Sequence, residues 1–498
     1  MNQVIKKNHM YFLLIYVLFF LIGIIFLETI SLENVKLQPL MLRITVVVST
    51  ELFMFCIISS KICGTIVNFA VLFQCVLFVF SFGQVVVVGL GLDEKLTIYL
   101  RYFTEKENYY AFKNTAYAYG VLGFGSLIGQ AIHNKCRVIE DPHKSYGDLF
   151  YIPLEEMRMR AIVLIVATFP VKCFIDITSL IIQMLYTAAI GKNWKSRFPD
   201  MVITYGNFSI IGIGLLLISL RNRPRKQVMV YILSMSYLIL TMMGGSRSET
   251  VSYILIVTLI FFLSRGKKIR FSVILKVGVA GYFFLTILST IVYARTYKPE
   301  RNVQIMLDTF MYCLTKKNII VETLRDYGTT GYTVECVLVK WLIKTKPSNG
   351  MSYIGGLASI FPNIGGIFGK ITRNTAFAFA LQENNGLDPR YYNIGGSMLG
   401  ELFFNFGVLG GICASIIIGI MIGKIAFKVN RYLEGEHIDY RIVYYIAAMS
   451  SILYWIRDYF GGQSREIVWS IIACWILMKI RVYYRGESKN GLWKKEYN

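Results

Sequence analysis

A chain of 498 residues that is 55% hydrophobic and only 16% charged, with mean hydropathy +0.53, falls short of the roughly 25% charged residues of soluble domains. Its apolar stretches recur along the whole length, which excludes a soluble globular protein and equally one globular domain on a single anchor. The formal net charge of +22 would suit nucleic acid if it were concentrated on one polar surface, so its distribution along the chain decides its meaning.

A membrane span needs about 20 largely apolar residues. Such stretches lie near 10–27, 41–60, 66–90, 115–132, 161–190, 201–220, 228–243, 250–264, 273–292, 399–424, 441–458 and 466–484. They predict an all-α polytopic membrane protein of about twelve transmembrane helices. The first follows Lys6 and Lys7 and lacks a small-residue cleavage site, so it reads as a retained span and not as a secretory signal. Arg43 and Lys276 sit near span ends, where long side chains snorkel. Glu51 falls mid-span with no obvious local partner. The stretch 161–190 is overlong and contains Pro170, which predicts a kink or a split. Within it, Lys172 and Asp176 have the i,i+4 spacing of an ion pair. The stretch 250–264 is short and is accepted partly because the topology requires it.

Lys and Arg gather in alternate connections: Lys135, Arg137 and Lys144; Arg221, Arg223, Arg225 and Lys226; Arg265, Lys267, Lys268 and Arg270; Lys424, Lys428 and Arg431; then the C-terminal tail. That alternation is the positive-inside pattern. It places both termini in the cytoplasm and assigns the basic excess to topology and anionic lipid, with no nucleic acid partner. The nine cysteines show no metal-ligand spacing. Cys313 and Cys336 share one outer connection, either as a disulfide pair or, more in keeping with their apolar neighbours, as small residues on buried helix faces.

The chain divides into residues 1–292, with nine spans; 293–398, one large extracytoplasmic loop; and 399–498, with three spans and a cytoplasmic tail. A loop that long is uncommon without a function. Residues 303–325 and 333–344 have helical apolar spacing, and GGLASIFPNIGGIFGK (355–370) is glycine-punctuated and apolar, as suits a segment at the bilayer interface.

All four histidines fall on the cytoplasmic side of this topology, whereas arginines gather on the outer side, where topology does not ask for them. Arg247 lies in GGSRSET, Arg295 follows the ninth span, Arg373 and Asn374 lie in the loop, and Arg457 and Arg465 lie in IRDYFGGQSRE. A guanidinium is a planar fork matched to phosphate oxygens and stays charged at any working pH. The set therefore suits a lipid-linked pyrophosphate; pairing with Asp, Glu or lipid headgroups is the plainer reading of any one of them. Glu401, one turn into the tenth span and followed by Asn405, is a costly charge at that depth unless it is paired or working. It is the first candidate for general base at an acceptor hydroxyl, with Asp458 second and Glu249 and Glu335 behind. Gly407, Gly410 and Gly411 are expected to permit close helix packing. No Walker P-loop, no G-x-G-x-x-G after a strand and no Asp-x-Asp occurs, so neither a nucleotide nor a metal-bound nucleotide sugar has a visible site and no cofactor is implied.

At these motifs the sequence resembles the Wzy family of oligosaccharide repeat-unit polymerases. GGSRSE, SIFPNIGG with RNTAFAFAL, GGSMLGELFFNFGVLGG (395–411), FGQVVVVGLGL (82–92) and IRDYFGGQSRE (456–466) carry the resemblance, in an order and topology that cover most of the chain. It implies a GT-C-like fold and inverting, metal-independent glycosyl transfer on the outer face of the bacterial cytoplasmic membrane. The donor would be a growing glycan on undecaprenyl diphosphate, the acceptor an incoming lipid-linked repeat unit, and a chain-length regulator (co-polymerase) a possible partner. Related O-antigen ligases use a histidine in the large outer loop, and this chain has none there. A lipid-linked oligosaccharide flippase or other transporter is the non-enzyme alternative, and an O-antigen ligase-like glycosyltransferase the other enzymatic one.

Overall fold

The structure is a computed structural model that describes residues 2–29, 36–92, 100–136, 151–185, 198–243, 247–265, 303–363, 366–375, 395–433 and 438–479, with short parts of 278–293 and Phe377. It is an all-helical membrane protein. The helices of the first part are α1 (Asn2–Glu28), α2 (Leu37–Cys63), α3 (Phe69–Gly89), α4 (Glu105–Cys136), α5 (Leu154–Leu185), α6 (Asp200–Ser219), α7 (Pro224–Met243) and α8 (Arg247–Ser264). The large loop contributes α9 (Val303–Lys316), α10 (Ile319–Tyr327), α11 (Gly331–Glu335), α12 (Met351–Ala358) and α13 (Ile367–Thr375). The last part holds α14 (Met398–Leu433), α15 (Ile442–Trp455) and α16 (Phe460–Lys479). One short antiparallel bridge joins β1 (Tyr151–Ile152) to β2 (Ile438–Asp439).

Among the described residues, six helices are long and apolar enough to cross a membrane: α1 from His9, α2, α3, α5 to Ile182, α6 and α14. The other predicted spans fall on α4, α7, α8, α15 and α16, of which α8 from Glu249 and α15 are short apolar helices. The stretch 273–292 lies only partly within the described residues.

Two departures from the sequence reading concern backbone. The helix α5 runs on through Pro170, so the stretch does not split there. Glycines of α6 press onto it on both sides of the proline: a Cβ at Gly206 would lie 3.2 Å from the Lys172 Cα, and one at Gly212 2.7 Å from the Ile165 side chain. Packing along a neighbouring helix thus supports the turn that lacks one hydrogen bond. The tenth predicted span, conversely, is broken. In α14, Gly407 takes φ 72° and ψ −175°, a region essentially reserved for glycine. The short buried stretch Met398–Asn405 is thereby set apart from the long helix that follows.

The glycines that bring helices together are only partly those expected. Gly410 faces the Phe406 side chain, whereas Gly411 packs the long helix on the short stretch across the break, where a Cβ would lie 2.6 Å from the Phe403 side chain and 3.1 Å from its backbone nitrogen. Further close approach comes from Gly125 and Gly129 of α4 against Gly419 and Gly423 of α14. A Cβ at Gly423 would lie 2.0 Å from the Ser126 carbonyl oxygen, and one at Gly129 2.3 Å from that of Ile420. Small residues four apart on both helices let the backbones touch, which is how helices associate where lipid removes the hydrophobic drive.

Loop helices α10 and α11 pack on the C-terminal part of α3. A Cβ at Gly83 would meet the Leu324 carbonyl oxygen at 2.2 Å, and Gln84 Nε2 donates to the Arg325 carbonyl at 3.2 Å. Cys313 and Cys336 are both buried and are not joined by a disulfide, the second of the two sequence readings.

Candidate functional site

Glycine lets a loop backbone lie directly on a turn. Gly396, just before α14, does so against the turn between α15 and α16: a Cβ there would sit 2.3 Å from the Asp458 carbonyl carbon. Met398 N–H then donates to the Ile456 carbonyl at 3.3 Å. The two glycine motifs, some sixty residues apart in sequence, thus form one structural unit.

Glu401 completes it. Its carboxylate is fully buried and accepts three hydrogen bonds: from Ser352 Oγ of α12 at 2.7 Å, from the Trp455 indole at 3.0 Å and from the Phe460 N–H at 2.8 Å. The last two donors stand on either side of residues 456–459, so one carboxylate closes the ends of the turn that carries Arg457 and Asp458. The rings of Trp455 and Phe460 stand 5.4 Å apart, and Tyr353 lies edge-on to both at 6.4 and 5.3 Å. Asn405, also fully buried, accepts from Ser348 Oγ at 2.8 Å and donates to Ser352 Oγ at 2.7 Å and the Glu401 carbonyl at 2.8 Å. Both residues fix α12 to α14, and neither has a polar atom to spare in this arrangement.

Arg457 and Asp458 differ from them in being only half-buried. The Arg457 guanidinium lies 5.7 Å from the centre of the Phe80 ring and 5.9 Å from that of Tyr327, and it forms no ion pair with a described residue. Asp458 Oδ2 accepts from Gln463 Nε2 at 2.6 Å, and a Cβ at Gly462 would press on it at 2.8 Å. Burial lifts the Asp458 carboxyl to about 6, against hydrogen bonds from the Tyr459 N–H and Gln463, with nearby Glu249 adding to the rise.

Glu249 joins this turn to a second polar cluster. It accepts from Asn207 Nδ2 at 3.1 Å and from Tyr253 at 2.8 Å, whose hydroxyl is also 3.3 Å from Glu466. Behind them Lys172 pairs with Asp176 at 3.1 Å, as the spacing predicted, and donates to Asn207 at 3.1 Å.

The remaining arginines divide. Arg465 is committed to Asp200 at 2.5 Å and to the Ser359 carbonyl at 2.6 Å. It straps the loop to α16, together with Ser464 Oγ on the Gly356 carbonyl at 2.6 Å and the Trp469 indole on the Ile360 carbonyl at 2.9 Å. Arg247 and Arg373 with Asn374 belong by backbone to α8 and α13, and their side chains lie outside the described residues, as does the whole of Arg295. Ser352 and Trp455 were absent from the sequence reading, and Gln463 entered it only as part of IRDYFGGQSRE. No spacing links position 352 to 401 or 455, so only the folded chain brings them together.

Glu335 is the buried carboxylate this unit does not use. It is 1% exposed, neither oxygen has a hydrogen-bond partner, and burial raises its carboxyl well above the usual range. It immediately precedes a π-helical turn, Cys336–Trp341, a local widening often found at functional sites. Among the described residues, no three His, Cys, Asp or Glu side chains gather as a metal site would need.

A family model for the O-antigen polysaccharide polymerase Wzy matches residues 10–487. No curated protein and no solved structure matches the chain. With its helical apolar segments and a match over nearly its whole length, the chain belongs to the O-antigen polysaccharide polymerase Wzy family: integral inner-membrane, glycosyltransferase-type polymerases that act on lipid-linked oligosaccharide repeat units.

Proposed function

We propose that this protein extends a glycan carried on undecaprenyl diphosphate, on the outer face of the cytoplasmic membrane, by metal-independent inverting transfer to an incoming lipid-linked repeat unit. In this reading it has about twelve spans and a GT-C-like fold. The observation that carries the proposal is the clasp of Gly396 and Glu401 on the turn that presents Arg457 and Asp458. Holding a reactive pair by packing and by a second layer of hydrogen bonds is what preorganised sites require.

The acceptor hydroxyl attacks the donor's anomeric carbon, the bond to the diphosphate oxygen breaks, and undecaprenyl diphosphate leaves. Asp458 takes the hydroxyl proton; a carboxyl held near 6 is ionised at neutral pH yet basic enough to receive it. Arg457, with no carboxylate partner among the described residues, stabilises charge developing on the leaving diphosphate, with Arg247, Arg295, Arg373 and Asn374 as further candidates for that headgroup. Glu401 and Asn405 act as positioning residues, since their polar atoms are occupied by Ser348, Ser352, Trp455 and Phe460. Arg465 holds the loop in place.

The test is purified protein with synthetic undecaprenyl-diphosphate repeat units, in chelator and without nucleotide, with product length read on a gel. Wild type should make a ladder, and Arg457→Ala and Asp458→Asn should lose it while melting at the wild-type temperature. A wild-type protein that leaves the substrate unextended but moves it across liposomes would establish the transporter reading instead. Transfer of finished polymer to a lipid core without extension would establish the ligase reading.

A further inference from the structure

Three aromatic rings from two distant chain segments meet near the clasp. Tyr102 ends the short 3₁₀ turn Leu100–Tyr102 that precedes α4, Phe103 follows it, and Tyr332 belongs to α11. The Tyr332 ring centre stands 6.1 Å from that of Tyr102 and 5.9 Å from that of Phe103, with planes tilted by 49° and 50°. Phe103 is buried, whereas Tyr102 is 62% exposed and Tyr332 half-buried, so the two tyrosines keep open surface. We propose that Tyr102 and Tyr332 form a platform for a sugar ring of the glycan that reacts at Asp458, an assignment that rests on the polymerase reading above.

Both segments are fixed before a ligand arrives. Buried Asn108 donates from Nδ2 to the carbonyls of Leu100 and Phe103 at 2.9 and 3.2 Å. Thr104 and Glu107 close the start of α4, with Glu107 Oε2 accepting from the Thr104 N–H at 2.8 Å and from its hydroxyl at 2.9 Å. Gly331 seats α11 on α3 and α4: a Cβ there would stand 3.0 Å from the Ser81 carbonyl oxygen and 2.9 Å from the Phe112 ring. Rings held in this way offer contact area at little cost in conformational entropy.

Their position ties the rings to the reacting centre. Thr333, next to Tyr332, donates from Oγ1 to the Gly395 carbonyl at 2.8 Å, and Gly396 is the residue that lies on Asp458. The Tyr327 ring, whose centre is 5.9 Å from the Arg457 guanidinium, precedes Tyr332 by five residues of continuous helical chain, about 8–10 Å along the axis. A glycan whose diphosphate meets Arg457 therefore has sugar rings within reach of the two tyrosines. Chemistry favours a sugar at this place. The face of an aromatic ring is electron-rich, and the C–H groups on one side of a sugar ring are its complement. The sugar hydroxyls find hydrogen-bonding groups in the tyrosine hydroxyls and in Lys340, whose Nζ lies 5.1 Å from the Phe103 ring centre. Thr104, Glu105 and Lys106, which come next in the chain, are all exposed, so the platform has a polar edge and not the aliphatic one of a surface set against acyl chains.

The experiment uses the full-length protein in a neutral detergent with two readouts. One is saturation-transfer NMR with the repeat-unit oligosaccharide freed from its lipid and diphosphate; the other is the steady-state rate of polymerisation of undecaprenyl-diphosphate repeat units. Wild type should bind the lipid-free oligosaccharide, and farnesyl diphosphate, which carries no sugar, should not displace it. Tyr102→Ala should melt as wild type, bind the oligosaccharide about ten-fold more weakly and raise KM about ten-fold with kcat unchanged, as expected when one ring contact made equally in ground and transition state is lost. Tyr102→Phe keeps the ring and should recover most of the binding. Tyr312→Ala removes an exposed tyrosine of α9 outside these ring contacts and should behave as wild type. A wild type that polymerises while Tyr102→Ala keeps its KM and its oligosaccharide binding overturns the platform and leaves the polymerase reading standing. Binding that depends on Tyr102 in a protein that extends nothing supports the sugar site and overturns the polymerase reading. The platform is also overturned if wild type binds no oligosaccharide, if farnesyl diphosphate displaces it, or if Tyr312→Ala loses as much.

Discussion

At the scale of single residues, two carboxylates that the sequence offered as base candidates, Glu401 first and Glu335 among the last, have opposite surroundings. Glu401 is saturated by Ser352, Trp455 and Phe460, whereas Glu335 has no partner on either oxygen. Replacing Glu401 by Ala leaves an indole N–H and a backbone N–H buried without an acceptor, each costing about 1–3 kcal/mol. Thermal unfolding of Glu401→Ala should therefore show a lowered melting temperature together with lost polymerisation. Glu401→Gln, which keeps the shape but turns one acceptor into a donor, should fall between the two, and an unchanged Gln variant would remove Glu401 from the positioning role. Glu335→Met exchanges an unpartnered buried carboxyl for an apolar side chain of similar length. It should gain about 1–3 kcal/mol, read as a raised melting temperature. For Asp458 the sign is fixed by its carboxyl lying near 6 in place of 3.8. The folded protein holds that proton more tightly than the unfolded chain, so this group's contribution to stability is present below about 4 and lost as pH rises through about 6. As a base it must be ionised, so polymerisation should fall as pH drops through about 6. A pH–rate profile of whatever activity Asp458→Asn retains should lack that limb.

At the scale of elements, α14 is decided by two glycines with different tasks. Gly407 holds a backbone conformation closed to other residues, and Gly407→Ala should cost on the order of 1–3 kcal/mol through strain alone. Gly423 faces the Ser126 carbonyl oxygen, 2.0 Å from where a Cβ would sit. Gly423→Ala must push α14 from α4 by more than a side-chain adjustment, so its melting temperature should fall further than that of Gly410→Ala, whose Cβ meets only the Phe406 side chain. Equal effects would mean that the α4–α14 contact relaxes freely. The sequence reading noticed the first glycine cluster because it lies in a motif. It missed Gly125, Gly129, Gly419 and Gly423, although each pair has small-residue spacing, because nothing in one helix says which neighbour it will touch.

At the scale of the whole molecule, hydropathy and the alternation of basic loops were enough to give an all-helical membrane protein, because a chain in lipid must satisfy its backbone internally and helices do so locally. The i,i+4 pair Lys172–Asp176 was legible for the same reason: its geometry is set within one helix. The passage of α5 through Pro170 without a split was not legible, since it is supported by a neighbour: Gly206 and Gly212 of α6 press on α5. Nor was the break at Gly407, one of several glycines in its motif. The candidate site was half visible. The sequence marked Glu401, Arg457 and Asp458 by motif and by outer-side charge and put Glu401 ahead of Asp458 as base, a ranking made without knowing which groups donate to which. Ser352 reaches Glu401 from the loop helix α12, which is held on α16, and Trp455 and the Phe460 N–H reach it from the turn between α15 and α16. What the chain determines by itself is composition, span and local pairing, which act over one or two helical turns. What only the tertiary structure decides is which carboxylate is occupied and which remains available, because hydrogen-bond partners come from segments far apart in sequence and the cost of burying a charge depends on all of them at once.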